Sequence, residues 1–321
     1  MANGLIKGLH HVTAMAASPQ DNVNFYAGIL GLRLVKKTIN FDAPDVYHLY
    51  YGDETGNPGS IMTFFPFRNM VPGSQGHGQT KATTFSIPSK AVDYWIKRFE
   101  QFKVAFKAPK QRFNETVIEF QDFDGLGLEL ITNDSDERVP FSYGPIPLEY
   151  AIRGFYSVEL LETKYEYTES VLVNLLNHEF IAEEGNRRRY APKDAQPGQI
   201  IDVVYDGQRT YGIGGSGTVH HIAFDTESDD SQLEVRERVI RGGLMPTQVL
   251  DRQYFHSIYF REPGGVLFEV ATTPPGFTFD ESVETLGTNL KLPPWEEHRR
   301  AYIEKLLEPI TLEPEQFATA V

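Results

Sequence analysis

One pattern, a strand, a helix and three further strands, recurs four times along the 321 residues and limits the chain more than any single motif does. The first unit predicts a strand over 10–15. Ser18 and Pro19 start a helix as N-cap and first-turn residue, Asp21 follows in that turn, and Gly31 stops it. Strands follow at 33–40, 47–52 and 59–65. The second unit predicts a strand at 83–87, a helix at 90–102 and strands ending at 127–131. The third opens at 155–160, with a helix over 165–176 and a last strand at 199–204. The fourth opens at 220–225, has a helix over 231–241, and closes in a hairpin around Pro263-Gly264-Gly265.

The unit ends match one another. Asp124-Gly125-Leu126-Gly127-Leu128-Glu129-Leu130 parallels Gly264-Gly265-Val266-Leu267-Phe268-Glu269-Val270, with Glu129 on Glu269. Laying Pro197-Gly198 on Pro263-Gly264 puts Asp202 on Phe268, one residue short of Glu269, so strand alternation turns Asp202 to the opposite face. A βαβββ unit curls into half a barrel and cannot bury its concave face alone, so units must pair edge to edge. The expected fold class is α+β, with four βαβββ units forming two half-barrel pairs. Units 1 and 2 fall in 5–135, units 3 and 4 in 150–275, and a C-terminal extension in 276–321.

Chemistry concentrates in units 1 and 4. Leu9-His10-His11-Val12-Thr13-Ala14 and Val219-His220-His221-Ile222-Ala223-Phe224 open equivalent strands. Side chains alternate across a strand. His11, Thr13 and Met15 share one face, as do His221, Ala223 and Asp225, so the second histidine of each pair faces the cavity. His10 and His220 fall on the apolar faces. In the hairpin, a turn over Arg261 to Gly265 sets Tyr259 opposite Leu267 and Ser257 opposite Glu269, with Tyr259 diagonal to Glu269 on one face. Two imidazoles and one carboxylate on strands, with no cysteine anywhere, are the ligand set of a non-haem iron site with open positions. The expected ligands are His11, His221 and Glu269. One metal reached from both His11 and His221 requires units 1 and 4 to pair, leaving 2 with 3. Units 2 and 3 lack histidines on their opening strands, so Glu129 and Asp202 are not expected as ligands. His48 is a candidate lining residue.

Net charge is −14, which argues against nucleic acid, whose phosphates need clustered cations. Arg187-Arg188-Arg189 is short and has acidic neighbours, and it reads as a solvated strand or turn. No apolar run approaches the ~20 residues that cross a bilayer. With no export signal in the first residues, the cytoplasm is the expected location.

These stretches, with Tyr47-His48-Leu49-Tyr50-Tyr51, Gly59-Ser60-Ile61-Met62-Thr63, Glu184-Gly185-Asn186-Arg187 and the tail from Leu286-Gly287 to Leu292, resemble the vicinal oxygen chelate superfamily. That superfamily includes glyoxalase I, bleomycin-resistance proteins and type I extradiol dioxygenases. Within it the chain is most similar to the hydroquinone-type ring-cleaving dioxygenases. The resemblance implies Fe(II), with Mn(II) or another divalent metal as alternatives, on His11, His221 and Glu269. It implies catalytic roles for Tyr259 beside the substrate oxygen, for Arg252 in the second sphere, and for His10 as an acid/base histidine. Alternation points His10 away from the cavity, so its role requires a twist or bulge at the start of that strand. The implied partners are a small aromatic substrate and O2, and a homo-oligomer is left open. Alternatives are a glyoxalase-type isomerase, which would prefer a fourth ligand on the last strand of unit 1, and a metal-free binding protein.

Overall fold

The computed structural model describes residues 4–193, 195–207 and 210–318. Unit 1 comprises β1 (Leu9–Ala16), α1 (Pro19–Val23), β2 (Arg33–Asn40), β3 (Ala43–Gly52) and β4 (Ile61–Pro66). Ser18 caps α1 by accepting from Asp21 N–H, and a π-helical turn, Asn24–Ile29, continues it. Unit 2 comprises β5 (Gln79–Ile87), α2 (Val92–Gln101), β6 (Lys110–Arg112), β7 (Glu115–Gln121) and β8 (Gly127–Thr132). Unit 3 comprises β9 (Phe155–Glu162), α3 (Tyr165–Asn174), β10 (Glu179–Glu184), β11 (Arg187–Ala191) and β12 (Ile200–Tyr205). Unit 4 comprises β13 (Thr218–Thr226), α4 (Asp229–Arg241), β14 (Leu250–Asp251), β15 (Phe255–Arg261) and β16 (Leu267–Pro275). The α4 helix starts in a capping box between Ser228 and Ser231.

The strands form two eight-stranded sheets, ordered β14-β15-β16-β13-β1-β4-β3-β2 and β10-β11-β12-β9-β5-β8-β7-β6. Units 1 and 4 therefore share one sheet and units 2 and 3 the other. Each sheet is joined at its middle by an antiparallel seam, β1 with β13 and β5 with β9. The links between the sheets run side by side, with bridges between Ser74 and Ile213 and between His77 and Tyr211.

Alternation decides which face is buried. Val12 and Ala14, Ile222 and Phe224, and Phe268 and Val270 are fully buried and join one apolar cluster with Val235 and Val239 of α4. Each such burial stabilises by about 1.5–3 kcal/mol for the larger side chains. A one-residue slip would move all of them into the concave face, so the register that fixes the core also fixes the site.

The segment after β16 wraps unit 1. Asp280 and Glu281 pair with Lys36 of β2 at 2.6 and 2.7 Å, and Lys36 is fully buried. Further on, Phe317 packs where a Cβ on Gly28 would sit, 2.6 Å from its ring. Among the described residues, no helix is long and apolar enough to cross a membrane.

Candidate metal centre

The seam sets Thr13 opposite His221 and His11 opposite Ala223, and the parallel β13–β16 pairing sets Ala223 beside Glu269. His11, His221 and Glu269 therefore emerge on one face from three adjacent strands. They are 2%, 4% and 0% exposed, and one ligand atom from each lies within 4.8 Å of the others. Glu269 Oε2 is 3.2 Å from His11 Nε2 and 2.8 Å from His221 Nε2, and the two Nε2 atoms are 3.2 Å apart.

Several observations test whether these residues fit a metal. Glu269 Oε2 is buried and has no hydrogen-bond partner of acceptable geometry among the described residues, although both nitrogens are close. The three atoms converge on a common point. The other nitrogen of each imidazole is occupied. His11 Nδ1 lies 2.9 Å from His10 Nδ1, and His221 Nδ1 lies 2.7 Å from His220 Nδ1. This is the arrangement by which an outer partner fixes ring and tautomer and leaves Nε2 for a cation. The second Glu269 oxygen accepts from Ser257 Oγ. Burial pushes the Glu269 carboxyl up, but His11 and His221 more than offset this and hold it well below the usual range. Buried nitrogens and a charged oxygen aimed at one point suit a divalent cation.

Tyr259 sits directly opposite Glu269. The pairing is shifted from the sequence expectation, which set Ser257 there. The cause lies in the turn, where the Glu262 carboxylate accepts from Gly264 N–H and Val266 N–H at 2.8 Å each. These bonds start the turn one residue later, with Arg261 opposite Leu267. The shift preserves the face, so Tyr259 still points with Glu269, and its ring stands edge-on to His221 at 5.6 Å. Arg252 Nε donates to Tyr259 Oη at 3.3 Å, and the guanidinium lies 5.4 Å from the ring centre. Burial, then Glu269, raise the Tyr259 phenol above its usual range, with Arg252 opposing.

A cavity of 480 Å³ opens beside these groups, lined by His11, His221, Tyr259 and Arg252 together with His48, Tyr50, Phe65 and Phe255. His10 does not line it. The β1 register does shift between Leu9 and His11, but His10 stays buried behind His11 with its ring 5.1 Å from Phe255. Burial, then His11, lower its pKa to about 3. His220 is exposed and lines the cavity, whereas alternation placed it on the apolar face. His48 and Tyr50 line the cavity too. Only the alternation of Tyr47-His48-Leu49-Tyr50-Tyr51 could have signalled Tyr50.

The second sheet holds ion pairs on its corresponding face. Arg112 grips Glu129 through two bonds of 2.6 and 2.5 Å, and Thr84 donates to Glu129 at 2.8 Å. Arg187 pairs with Glu159 and Asp202, and Arg189 with Asp202 at 2.8 Å. This corrects two sequence expectations. Arg187 and Arg189 are buried, because carboxylates on β9 and β12 await them. Asp202 sits beside Glu159 as Glu269 sits beside Ala223, so its face is the concave one; the turn before β12 differs in length from that before β16.

A model of the Glyoxalase/Bleomycin resistance protein/Dioxygenase superfamily matches residues 8–130. MhqO of Bacillus subtilis (strain 168), assigned as a ring-cleaving dioxygenase, is 42% identical over 306 residues, covering 94% of this chain and 96% of its own. The chlorohydroquinone/hydroquinone 1,2-dioxygenase of Sphingobium indicum is 37% identical over 298 residues, covering 90% and 92%. A crystal structure of a Bacillus subtilis protein, also assigned as a dioxygenase, gives a TM-score of 0.91 at 41% identity, covering 96% and 98%. Fold and site thus define a member of the glyoxalase/bleomycin resistance/dioxygenase superfamily. Within it, the chain belongs to the ring-cleaving dioxygenases.

Proposed function

We propose that this enzyme opens a hydroquinone- or catechol-type ring with O2, in an extradiol-type reaction, at a non-haem Fe(II) held by His11, His221 and Glu269. The observation that carries the reading is the three-ligand set beside an aromatic-lined cavity, with no fourth carboxylate or imidazole on β4. That absence disfavours a glyoxalase-type isomerase. A metal-free binding protein would have no use for three converging ligand atoms. The name of the Sphingobium relative supports the substrate class.

When bound, the metal would acidify a substrate hydroxyl and let electron density pass from ring to oxygen. The remaining roles fall to the chain. Phe65, Phe255 and Leu267 supply apolar walls that hold a ring and exclude water. Tyr259 keeps its proton, because burial disfavours the phenolate, and it offers that proton to a substrate oxygen beside Glu269. Arg252 fixes the Tyr259 hydroxyl and adds positive charge where an oxygen anion would lie. His10 supports His11 from behind and has no surface on the cavity.

Anaerobic reconstitution with Fe(II), followed by O2 uptake with hydroquinones and catechols, tests the reading. Ring-opened product with iron is expected. Activity on hemithioacetals with zinc or nickel would overturn it in favour of the isomerase, and protein that binds no metal would favour the binder. Because affinity rises along the divalent series, the sample must be stripped before loading.

A further inference from the structure

The pairings of the first sheet repeat on either side of its seam. On one side Ala223 of β13 sits beside Glu269 of β16, and Tyr259 of β15 sits opposite Glu269. On the other, Thr13 of β1 sits beside Thr63 of β4, and Tyr50 of β3 sits opposite Thr63. Thr63 is therefore the counterpart of Glu269, and Tyr50 of Tyr259. The likeness continues one step further. Ser257, which precedes Tyr259 by one turn of the pleat, donates to Glu269. His48, which precedes Tyr50 in the same way, bonds Thr63 Oγ1 through Nε2 at 2.8 Å.

Thr63 Oγ1 also lies 2.9 Å from Thr13 Oγ1, and His48 Nδ1 lies 2.8 Å from Tyr50 Oη. Thr13, Thr63, His48 and Tyr50 thus form one hydrogen-bonded chain. Its threonine end is fully buried, and its imidazole and phenol line the cavity. Such a chain can run in either direction. If Tyr50 donates to His48, its oxygen keeps a lone pair to accept with; if Tyr50 accepts, its O–H stays available to donate. Both directions leave Tyr50 one hydrogen-bonding capacity at the cavity. Its ring is packed against Tyr254, Phe255 and Phe277, with centroids 6.3, 6.4 and 5.0 Å away. The hydroxyl is therefore presented from a fixed wall.

We propose that Tyr50 binds the second hydroxyl of the aromatic diol, with His48 and Thr63 as its positioning residues; this rests on the function proposed above. Tyr259 would meet the oxygen beside the metal site and Tyr50 the oxygen across the ring. A site built to bond a hydroxyl discriminates against the analogue that lacks it, because its own polar group is then left unpaired.

The test is calorimetric binding of hydroquinone and of phenol to the metal-loaded enzyme without O2. Wild-type protein should bind hydroquinone about tenfold or more tightly than phenol, the scale of one well-placed hydrogen bond. Tyr50→Phe should lower hydroquinone affinity to the phenol level and leave phenol binding unchanged. His48→Gln should weaken hydroquinone alone, by a smaller factor. A Tyr50→Phe enzyme that keeps the full preference would overturn the inference. Equal loss of both ligands would also overturn it, because it would make Tyr50 a structural residue. Wild-type protein that binds neither ring would instead bring down the proposed function, and this inference with it.

Discussion

Glu269 sits at the meeting point of two demands, with one carboxylate oxygen taken by Ser257 and the other turned toward two imidazoles. A fully buried carboxylate without a counter-charge is expensive, and the site answers by gathering groups that a cation would satisfy together. Glu269→Gln keeps the size and removes the charge. Bound Fe(II), measured by elemental analysis after dialysis, should fall by ~10-fold or more, at least the loss usual for altering a metal's outer partners. Tyr259→Phe makes the opposite case. Metal content should hold while turnover of hydroquinone falls by ~10²-fold or more, the usual scale for a proton-handling group. Unchanged turnover would remove Tyr259 from the mechanism, and lost metal would make it a ligand. At this scale much was legible in the sequence, because side-chain direction on a strand follows from counting by twos. His11, His221, Glu269 and Tyr259 all share the face that counting gave them. His220 escaped the rule because the register slips there: Thr13 pairs with His221 and Ala14 with Val219, which leaves His220 as the extra residue of a bulge that one strand's sequence does not announce.

Among the elements, the turn between β15 and β16 and the strand β11 show where local reading runs out. The turn was placed one residue early because Glu262 caps Gly264 and Val266, a bond that spacing alone does not announce. Arg187 and Arg189 looked solvated because their partners lie on the other strands β9 and β12, whose register the local run of arginines does not reveal. Arg112 on β6 and Glu129 on β8 make the same point and give a test. Both are about 4% exposed, so Arg112→Met should strand a buried carboxylate and lower stability by ~3–5 kcal/mol in urea titration. Combining it with Glu129→Leu should recover most of that loss, since the pair is then replaced by apolar groups. Metal content of the other sheet should not change in either variant. If the double variant proves no more stable than Arg112→Met alone, Arg112 contributes something other than charge balance. The repeated units themselves were readable because caps, glycine stops and alternation are local signals. The ion pairs on the second concave face were not.

Across the whole molecule, the two sheets press together at a pair of carboxylates. Glu162 ends β9 in one sheet, and Glu262 lies in the β15–β16 turn of the other. Glu162 is fully buried against Gly264, where an added Cβ would come within 2.2 Å of its carboxylate. Burial, then repulsion from Glu262, push the Glu162 carboxyl up from 4.5 to about 8. Between these values the folded chain keeps a proton that the unfolded chain has released, so stability falls as pH rises from 4.5 toward 8. Glu162→Gln should match the wild type near the lower limit and exceed it near the upper, by on the order of 1–3 kcal/mol. Parallel stability–pH curves for the two proteins would refute this account of the contact. The sheet order has a further consequence, which concerns how the chain is made. Domains generally begin to fold from the N-terminal side during synthesis. The β5–β9 seam can close as soon as Glu162 has left the ribosome, whereas β1 must wait for β13, which starts at Thr218. His11 is translated with β1, well before Glu269, which arrives only with β16. A chain whose synthesis stops before β16 therefore carries two of the three ligands at most, and the centre assembles only once β16 has been made.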